Sequence, residues 1–213
     1  MADGHNPEQS TLIVVDVQKD FCPGGALAVE YGDTIIPRIN SLMRRFAHVV
    51  ATRDWHPSGH VSFASAHAGG KPGDSVNAGG ITQQLWPDHC IQGSDGARFH
   101  SDLDEKPINL ILHKGTSANL DSYSAFFEND HSTATGLESY LKGLGFSNVY
   151  IVGLAEDVCV RFTAEDAVKL GFTTYVIADC TRGVNIPDGS LGAARKSMQT
   201  MGVGYIQSAD LRS

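Results

Sequence analysis

Six short apolar runs set the strongest limit on what this chain can fold into. They fall at 11–17 (TLIVVDV), 48–52, 109–113 (NLILH), 149–153, 173–178 (TTYVIA) and 203–207. The first is continuous rather than alternating, as expected of a strand buried on both faces in a parallel sheet. Helical spacing lies between most of them. Ile35, Ile36, Ile39, Leu42, Met43 and Phe46 recur across 34–46, where Pro37 is tolerable only in the first turn. Leu137, Tyr140, Leu141 and Leu144 share a face across 136–144, and Val160, Ala164, Ala167 and Val168 run up to a stop at Gly171. A last helix is read at 189–201. Strands alternating with helices predict an α/β fold: a single-domain, doubly wound sheet of about six mostly parallel strands with helices on both faces.

One stretch breaks the alternation. From 57 to about 106 neither period holds, and SFASAHAGGKPGDSVNAGG is rich in Gly, Ala and Ser. A connection this long inside a compact domain is usually a binding loop or lid. Trp86 and His89, in LWPDHC, argue against plain disorder. The remaining bulk properties mostly exclude. With 213 residues, 41% of them hydrophobic, one core is the default. A net charge of −8 argues against nucleic acid or an anionic membrane as partner. Cys22, Cys90, Cys159 and Cys180 form no C-x-x-C pair and do not read as a disulfide framework. The opening MADGHNPEQS lacks the apolar core of a signal peptide, and no run is long enough to span a bilayer, so a cytoplasmic protein is expected.

Chemistry gathers at one edge of the expected sheet. Asp16 stands at the end of the first strand, Asp54 and His56 follow the second, Lys114 the third and Cys159 the fourth, while Asp179 ends the fifth. In open α/β sheets ligands sit outside the carboxyl ends of the strands. Cys159 lies where strand gives way to helix, in NVYIVGLAEDVCVRFTAEDAVKLG, and unpaired N–H groups with the helix dipole there favour thiolate. Asp54 and His56, two apart in an extended segment, face the same way, and a carboxylate beside an imidazole suits zinc, iron or manganese. His89 is a third ligand candidate, and His60 a fourth or a hydrogen-bonding group behind the others. Each has a plainer reading when taken alone: a small buried Cys that only packs, and a D-x-H in a solvated loop. Asp179 is expected to hydrogen-bond a neighbouring turn. Cys22, Cys90 and Cys180 read as structural, and His5, His48, His67, His100, His113 and His131 as incidental.

Six motifs together carry a resemblance: VDVQKDFCPGGAL (15–27), TRDWHP (52–57), WPDHC (86–90), KGT (114–116), DSYSAF (121–126) and GLAEDVCV (153–160). Over nearly its whole length the chain resembles the cysteine hydrolases of the isochorismatase-like superfamily, and within it the bacterial nicotinamidases. The resemblance implies one isochorismatase-like hydrolase domain over 1–213, with the metal and substrate loop at about 57–106. It implies a catalytic triad of Asp16, Lys114 and Cys159, and one divalent transition metal (Zn, Fe or Mn) on Asp54, His56 and His89, with His60 a further candidate. It implies an oxyanion hole from the N–H groups of Ala155 and Cys159, a cis Leu154–Ala155 peptide, and a pocket of Phe21, Trp86, Tyr123 and Leu154. The implied reaction is hydrolysis of nicotinamide to nicotinate and ammonia through a cysteine thioester, in NAD salvage, with pyrazinamide as a further substrate. The alternatives are another carboxamide or an N-carbamoyl amide as substrate, or a metal-binding module without catalysis. No G-x-G-x-x-G follows the first strand, which weakens a dinucleotide-binding reading. A homo-oligomer is left open.

Overall fold

Residues 7–211 are described by a computed structural model. His5 lies outside them, as does most of the polar opening stretch. In chain order the regular elements are β1 (Thr11–Val15), α1 (Ile36–Met43), β2 (His48–Asp54), β3 (Ser75–Ala78), β4 (Ile81–Gln84), β5 (Leu110–Lys114), α2 (Leu137–Gly143), β6 (Asn148–Leu154), α3 (Arg161–Lys169), β7 (Thr173–Arg182), α4 (Ser190–Thr200) and β8 (Gly204–Ile206).

Six of the strands form one sheet in the order β5-β2-β1-β6-β7-β8, and every pairing in it is parallel. The chain winds outward from β1 through β2 to β5, then crosses back to lay β6 on the other side of β1. The crevice that such a reversal leaves opens at the carboxyl ends of β1 and β6. Strand β1 is the centre of the core. Leu12 and Val14 join the cluster under α1, while Ile13 and Val15 join the cluster under α2, α3 and α4. All four are fully buried, and each side chain of this kind contributes about 1.5–3 kcal/mol by leaving water. Gly153 marks a close approach: its φ is +111° and a Cβ there would lie 2.0 Å from the Val15 carbonyl oxygen. Only glycine lets β6 pack this tightly beside β1 at the crevice.

The two faces are covered differently. One carries three helices. The other carries α1 alone, and the long crossover completes it with Cys90, Ala97, Phe99 and Leu103. That crossover corrects the expectation of an unpatterned segment at 57–106, because it contains an antiparallel hairpin, β3–β4, turned on Gly79-Gly80. Both glycines have positive φ, at 62° and 96°, as a two-residue hairpin turn requires. The hairpin lacks an apolar alternation because only Gln83 in it is buried. Smaller differences sit at element ends. α1 is preceded by a 3₁₀ turn (Gly32–Ile35), β7 runs on to Arg182 past a register shift, and Lys114 is the last residue of β5. Asp179 accepts hydrogen bonds from the Ser208 N–H and hydroxyl, the turn role expected of it. The four cysteines are buried and unpaired.

Candidate active site

Asp16 follows β1 directly, Lys114 ends β5, and Cys159 lies in a π-helical turn, Glu156–Val160, between β6 and α3. The sheet brings all three together. Asp16 has a left-handed backbone, φ 48°, clamped by Thr52 of β2. The Thr52 hydroxyl accepts the Asp16 N–H at 3.2 Å and donates to Asp16 Oδ1 at 2.6 Å. Lys114 Nζ is the hub. It lies 2.8 Å from Asp16 Oδ2 and 3.5 Å from Cys159 Sγ, donates to the Ser122 carbonyl at 3.1 Å, and pairs with Asp54 Oδ1. The ion pair with Asp16 Oδ2 holds the Asp16 carboxylate against the lysine.

Asp16 and Lys114 are fully buried and Cys159 is 6% exposed, so electrostatics here are strong. Burial pushes the Asp16 carboxyl above its ordinary value, against the pull of Lys114. Burial works against the Lys114 ammonium, but Asp16 and Asp54 outweigh it and hold it well above the usual lysine range. Burial also pushes the Cys159 thiol well up, with Lys114 pulling it down.

Asp54, His56 and His89 form a second cluster a few ångströms away. His56 Nε2 lies 3.5 Å, and His89 Nε2 3.8 Å, from Asp54 Oδ2. The opposite ring nitrogens are tied to backbone carbonyls, His56 Nδ1 to Gly115 at 2.9 Å and His89 Nδ1 to Pro87 at 2.7 Å. Those bonds place a proton on Nδ1 and turn the Nε2 atoms toward Asp54, the arrangement of metal-ligating histidines. Gly115 makes the first possible, since a Cβ there would lie 2.4 Å from His56 Cε1. Burial opposes a charge on His56, yet Asp54 outweighs it and pushes the imidazole up to about 9, so this corner favours positive charge. One carboxylate and two preoriented imidazoles, with donor atoms within 4.8 Å of one another, fit a divalent transition metal. His60 stacks on His56 with ring centroids 4.2 Å apart. Its Nδ1 is bonded to Ser62 Oγ at 2.7 Å and its Nε2 lies 3.4 Å from the Leu120 carbonyl, and with His56 and Asp121 it forms a second trio with donor atoms within 4.8 Å of one another.

Both clusters open on one cavity, lined by Phe21, Leu27, Asp54, His56, Trp86, His89, Asp121, Tyr123, Ala155, Val158, Cys159 and Val184. Counting the open solvent at its mouth, its empty space is about 410 Å³. Phe21, Trp86 and Tyr123 are in its walls, as expected. Leu154 is not: it is fully buried in the core under α1, because as the last residue of β6 it points to the sheet face while Ala155 turns to the cavity. The Leu154–Ala155 peptide is cis. The Ala155 N–H donates to no other group among the described residues.

With this geometry in place, comparison with known proteins is decisive. A family model described as the isochorismatase domain matches residues 10–210. The chain belongs to the isochorismatase family. Within that family it stands with the nicotinamidases, which are hydrolases. It is 49% identical to a nicotinamidase of Acinetobacter baylyi over 94% of this chain and 93% of the relative. It is 42% identical to one of Escherichia coli over 93% and 95%. Among solved structures, a nicotinamidase/pyrazinamidase of Acinetobacter baumanii superposes with a TM-score of 0.93 at 52% identity, covering 96% of this chain and 98% of that one. A structure from L. infantum in complex with nicotinate gives 0.86 at 36% identity, covering 100% and 99%. A Pyrococcus horikoshii pyrazinamidase in complex with zinc gives 0.76 at 39%, covering 93% and 99%.

Against that family background, the residues that sequence reasoning passed over are supporting ones. Thr52 clamps Asp16. Gln18 ties strand ends together, donating from Nε2 to the Asp54 carbonyl at 2.8 Å and accepting the Asp54 N–H at 2.8 Å. Asp121, buried in the cavity wall, accepts from Gln83 Nε2 at 2.9 Å and from the Ser122 N–H at 2.8 Å. Asp121 stands inside the DSYSAF motif, which was the signal available for it. Gln83 had no signal, because the hairpin that carries it has no period.

Proposed function

We propose that this protein hydrolyses nicotinamide to nicotinate and ammonia, and pyrazinamide likewise, through a thioester on Cys159 with the aid of one divalent transition metal. A single observation carries the reading: the cluster of Asp16, Lys114 and Cys159 and the cluster of Asp54, His56 and His89 are joined by the Lys114–Asp54 ion pair, and Cys159 shares one aromatic-walled cavity with Asp54, His56 and His89. The names of the relatives and the nicotinate and zinc complexes of the structural neighbours support the substrate and the cation. Asp54, His56 and His89 would hold the metal, leaving positions open for a ligand.

The chain's own residues account for the steps. As the carboxamide carbon approaches Sγ, Asp16, hydrogen-bonded to the thiol, takes the Cys159 proton. Lys114 stabilises the sulfur as it gains charge and keeps Asp16 in place. The free Ala155 N–H, with that of Cys159, donates to the developing oxyanion. The C–N bond breaks as Asp16 returns its proton to the leaving nitrogen, releasing ammonia and leaving the acyl group on sulfur. Asp16 then takes a proton from water, whose oxygen attacks the thioester. Nicotinate leaves and the thiol regains its proton. Phe21, Trp86 and Tyr123 hold the ring and exclude bulk water. The metal, when bound, supplies a Lewis-acid contact for the pyridine nitrogen.

The test is ammonia release by purified protein from nicotinamide, with metal content measured on the same sample. Turnover that follows the metal content supports the reading. No ammonia from a metal-loaded, folded sample would reject it in favour of a binding module or a different amide substrate.

A further inference from the structure

Residues 18–20 supply none of the three metal-ligand candidates, yet they grip the chain beside two of them. Gln18 bonds both the N–H and the carbonyl of Asp54. Asp20, two residues on, reaches across to the long crossover. Its Oδ2 accepts the Cys90 N–H at 2.7 Å, and its Oδ1 accepts the Ala26 N–H at 3.2 Å. Cys90 follows His89 directly, and the Cys90 carbonyl accepts the His56 N–H at 3.0 Å. Cys90 is thus the joint between the two histidines. Its backbone there is left-handed, with φ 47°. A residue with a Cβ stays in that sparsely populated region only when its surroundings over-determine it. Here both of its peptide groups are held, the N–H by the Asp20 carboxylate and the carbonyl by His56. The carboxylate is itself wedged in place. The Asp20 N–H donates to the Gly96 carbonyl at 3.1 Å, and a Cβ at Gly96 would overlap the carboxyl group.

We infer that Asp20 is a positioning residue for the metal site: its carboxylate fixes the joint at Cys90, and with it the backbones of His56 and His89, so that both imidazoles are preoriented before a divalent transition metal arrives. The inference deepens the metal reading given above and rests on it. Asp20 touches neither the cation nor the substrate. It acts through one peptide N–H, by a charge-assisted bond about twice as strong as a neutral one. Without that hold the two histidines sample other arrangements in the metal-free protein, and gathering them again lowers the affinity for the cation.

The experiment is zinc affinity, measured on metal-stripped protein by competition with a chromophoric chelator, with denaturant stability measured on the same metal-free samples. The set is the wild type, Asp20→Ala, Asp20→Asn and Asp179→Ala. Asp20→Ala should weaken zinc binding about 10–100-fold. Asp20→Asn loses the charge but keeps one oxygen for the Cys90 N–H, so it should stay within about 5-fold of the wild type. Asp179→Ala removes a carboxylate that accepts from Ser208, outside the cavity wall. It should lower stability and leave zinc affinity unchanged. If Asp20→Ala does not fold, Asp20→Ser takes its place, because its hydroxyl ends one bond short of the Cys90 N–H, and a loss of about 10-fold or more is again expected. Unchanged zinc affinity in the folded Ala or Ser variant would overturn the inference. So would equal losses in Asp20→Asn and Asp20→Ala, which would assign the effect to charge alone. A loss of the same size in Asp179→Ala would also overturn it, since affinity would then only follow global stability. Failure of the metal reading itself is seen separately, as a wild type that binds no zinc.

Discussion

The two ends of the cavity are built by different means. At the sulfur end, Asp16, Lys114 and Cys159 hang from the ends of β1, β5 and β6, in a parallel sheet whose register fixes their backbones to one another. The charged groups there are fully buried, and the sulfur nearly so. At the ring end, Trp86, Asp121 and Tyr123 stand on irregular chain and are joined through side chains, with the Gln83 amide reaching across from a peripheral hairpin. The difference teaches a division of labour. Bond-making groups need sub-ångström placement and take it from strands, while groups that choose a ligand can sit on loops that vary.

The comparison is broken most directly at sulfur. Cys159→Ala should lower turnover by at least about 10⁴-fold while folding and metal content stay near wild type. Nicotinamide should also protect Cys159 from alkylation. A variant with more than a trace of activity would end the covalent mechanism. Next come its partners. Asp16→Asn and Lys114→Met should each cost about 10³-fold, and the double variant little more than either, since they act on one proton. Multiplying losses in that double variant would show two independent roles. Lys114 variants need a parallel stability measurement, because removing the ammonium leaves Asp16 and Asp54 buried without it, at a cost of about 3–5 kcal/mol.

At the ring end the effects should be smaller and fall on selection. Chelation should suppress turnover and a divalent transition metal restore it. Benzamide, which lacks the ring nitrogen, should be a poor substrate, and His56→Ala should shrink the preference for nicotinamide over it by about 10-fold or more. An unchanged preference in a variant shown to have lost its metal would mean that something else reads the nitrogen. The smallest effect concerns stability. Burial pushes the Glu128 carboxyl up to about 7, against the pull of Lys114, and its Oε2 has no partner among the described residues. A raised carboxyl favours folding while protonated, so this contribution is complete below about pH 4.5 and lost as pH rises through about 7. Relative to wild type, Glu128→Gln should therefore gain on the order of 1 kcal/mol between pH 4.5 and 8. Denaturant midpoints with the same pH dependence in both proteins would rule this out.

Legibility in the sequence divided along the same line. The six strands and the placement of Asp16, Asp54, His56, Lys114 and Cys159 could be read because buried parallel strands are written as continuous apolar runs, and the residues just past the end of each run lie at the sheet edge. The hairpin β3–β4 could not, because its sequence has no apolar alternation and, Gln83 apart, its side chains stay exposed or half-exposed. Leu154 was misplaced by one residue's turn of the chain, which periodicity alone does not resolve at the last residue of a strand.

Asp54 has one oxygen on Lys114 and the other toward His56 and His89. One carboxylate thus sits in the inheritance of two sites. A lineage that altered the ligand set at this position would at the same time change the charge balance around the lysine beside the nucleophile. Substitutions at the two ends of the cavity are therefore not free to accumulate separately. Histories that swap the cation-binding residues must pass through paired changes, with Asp54 as the hinge of that epistasis.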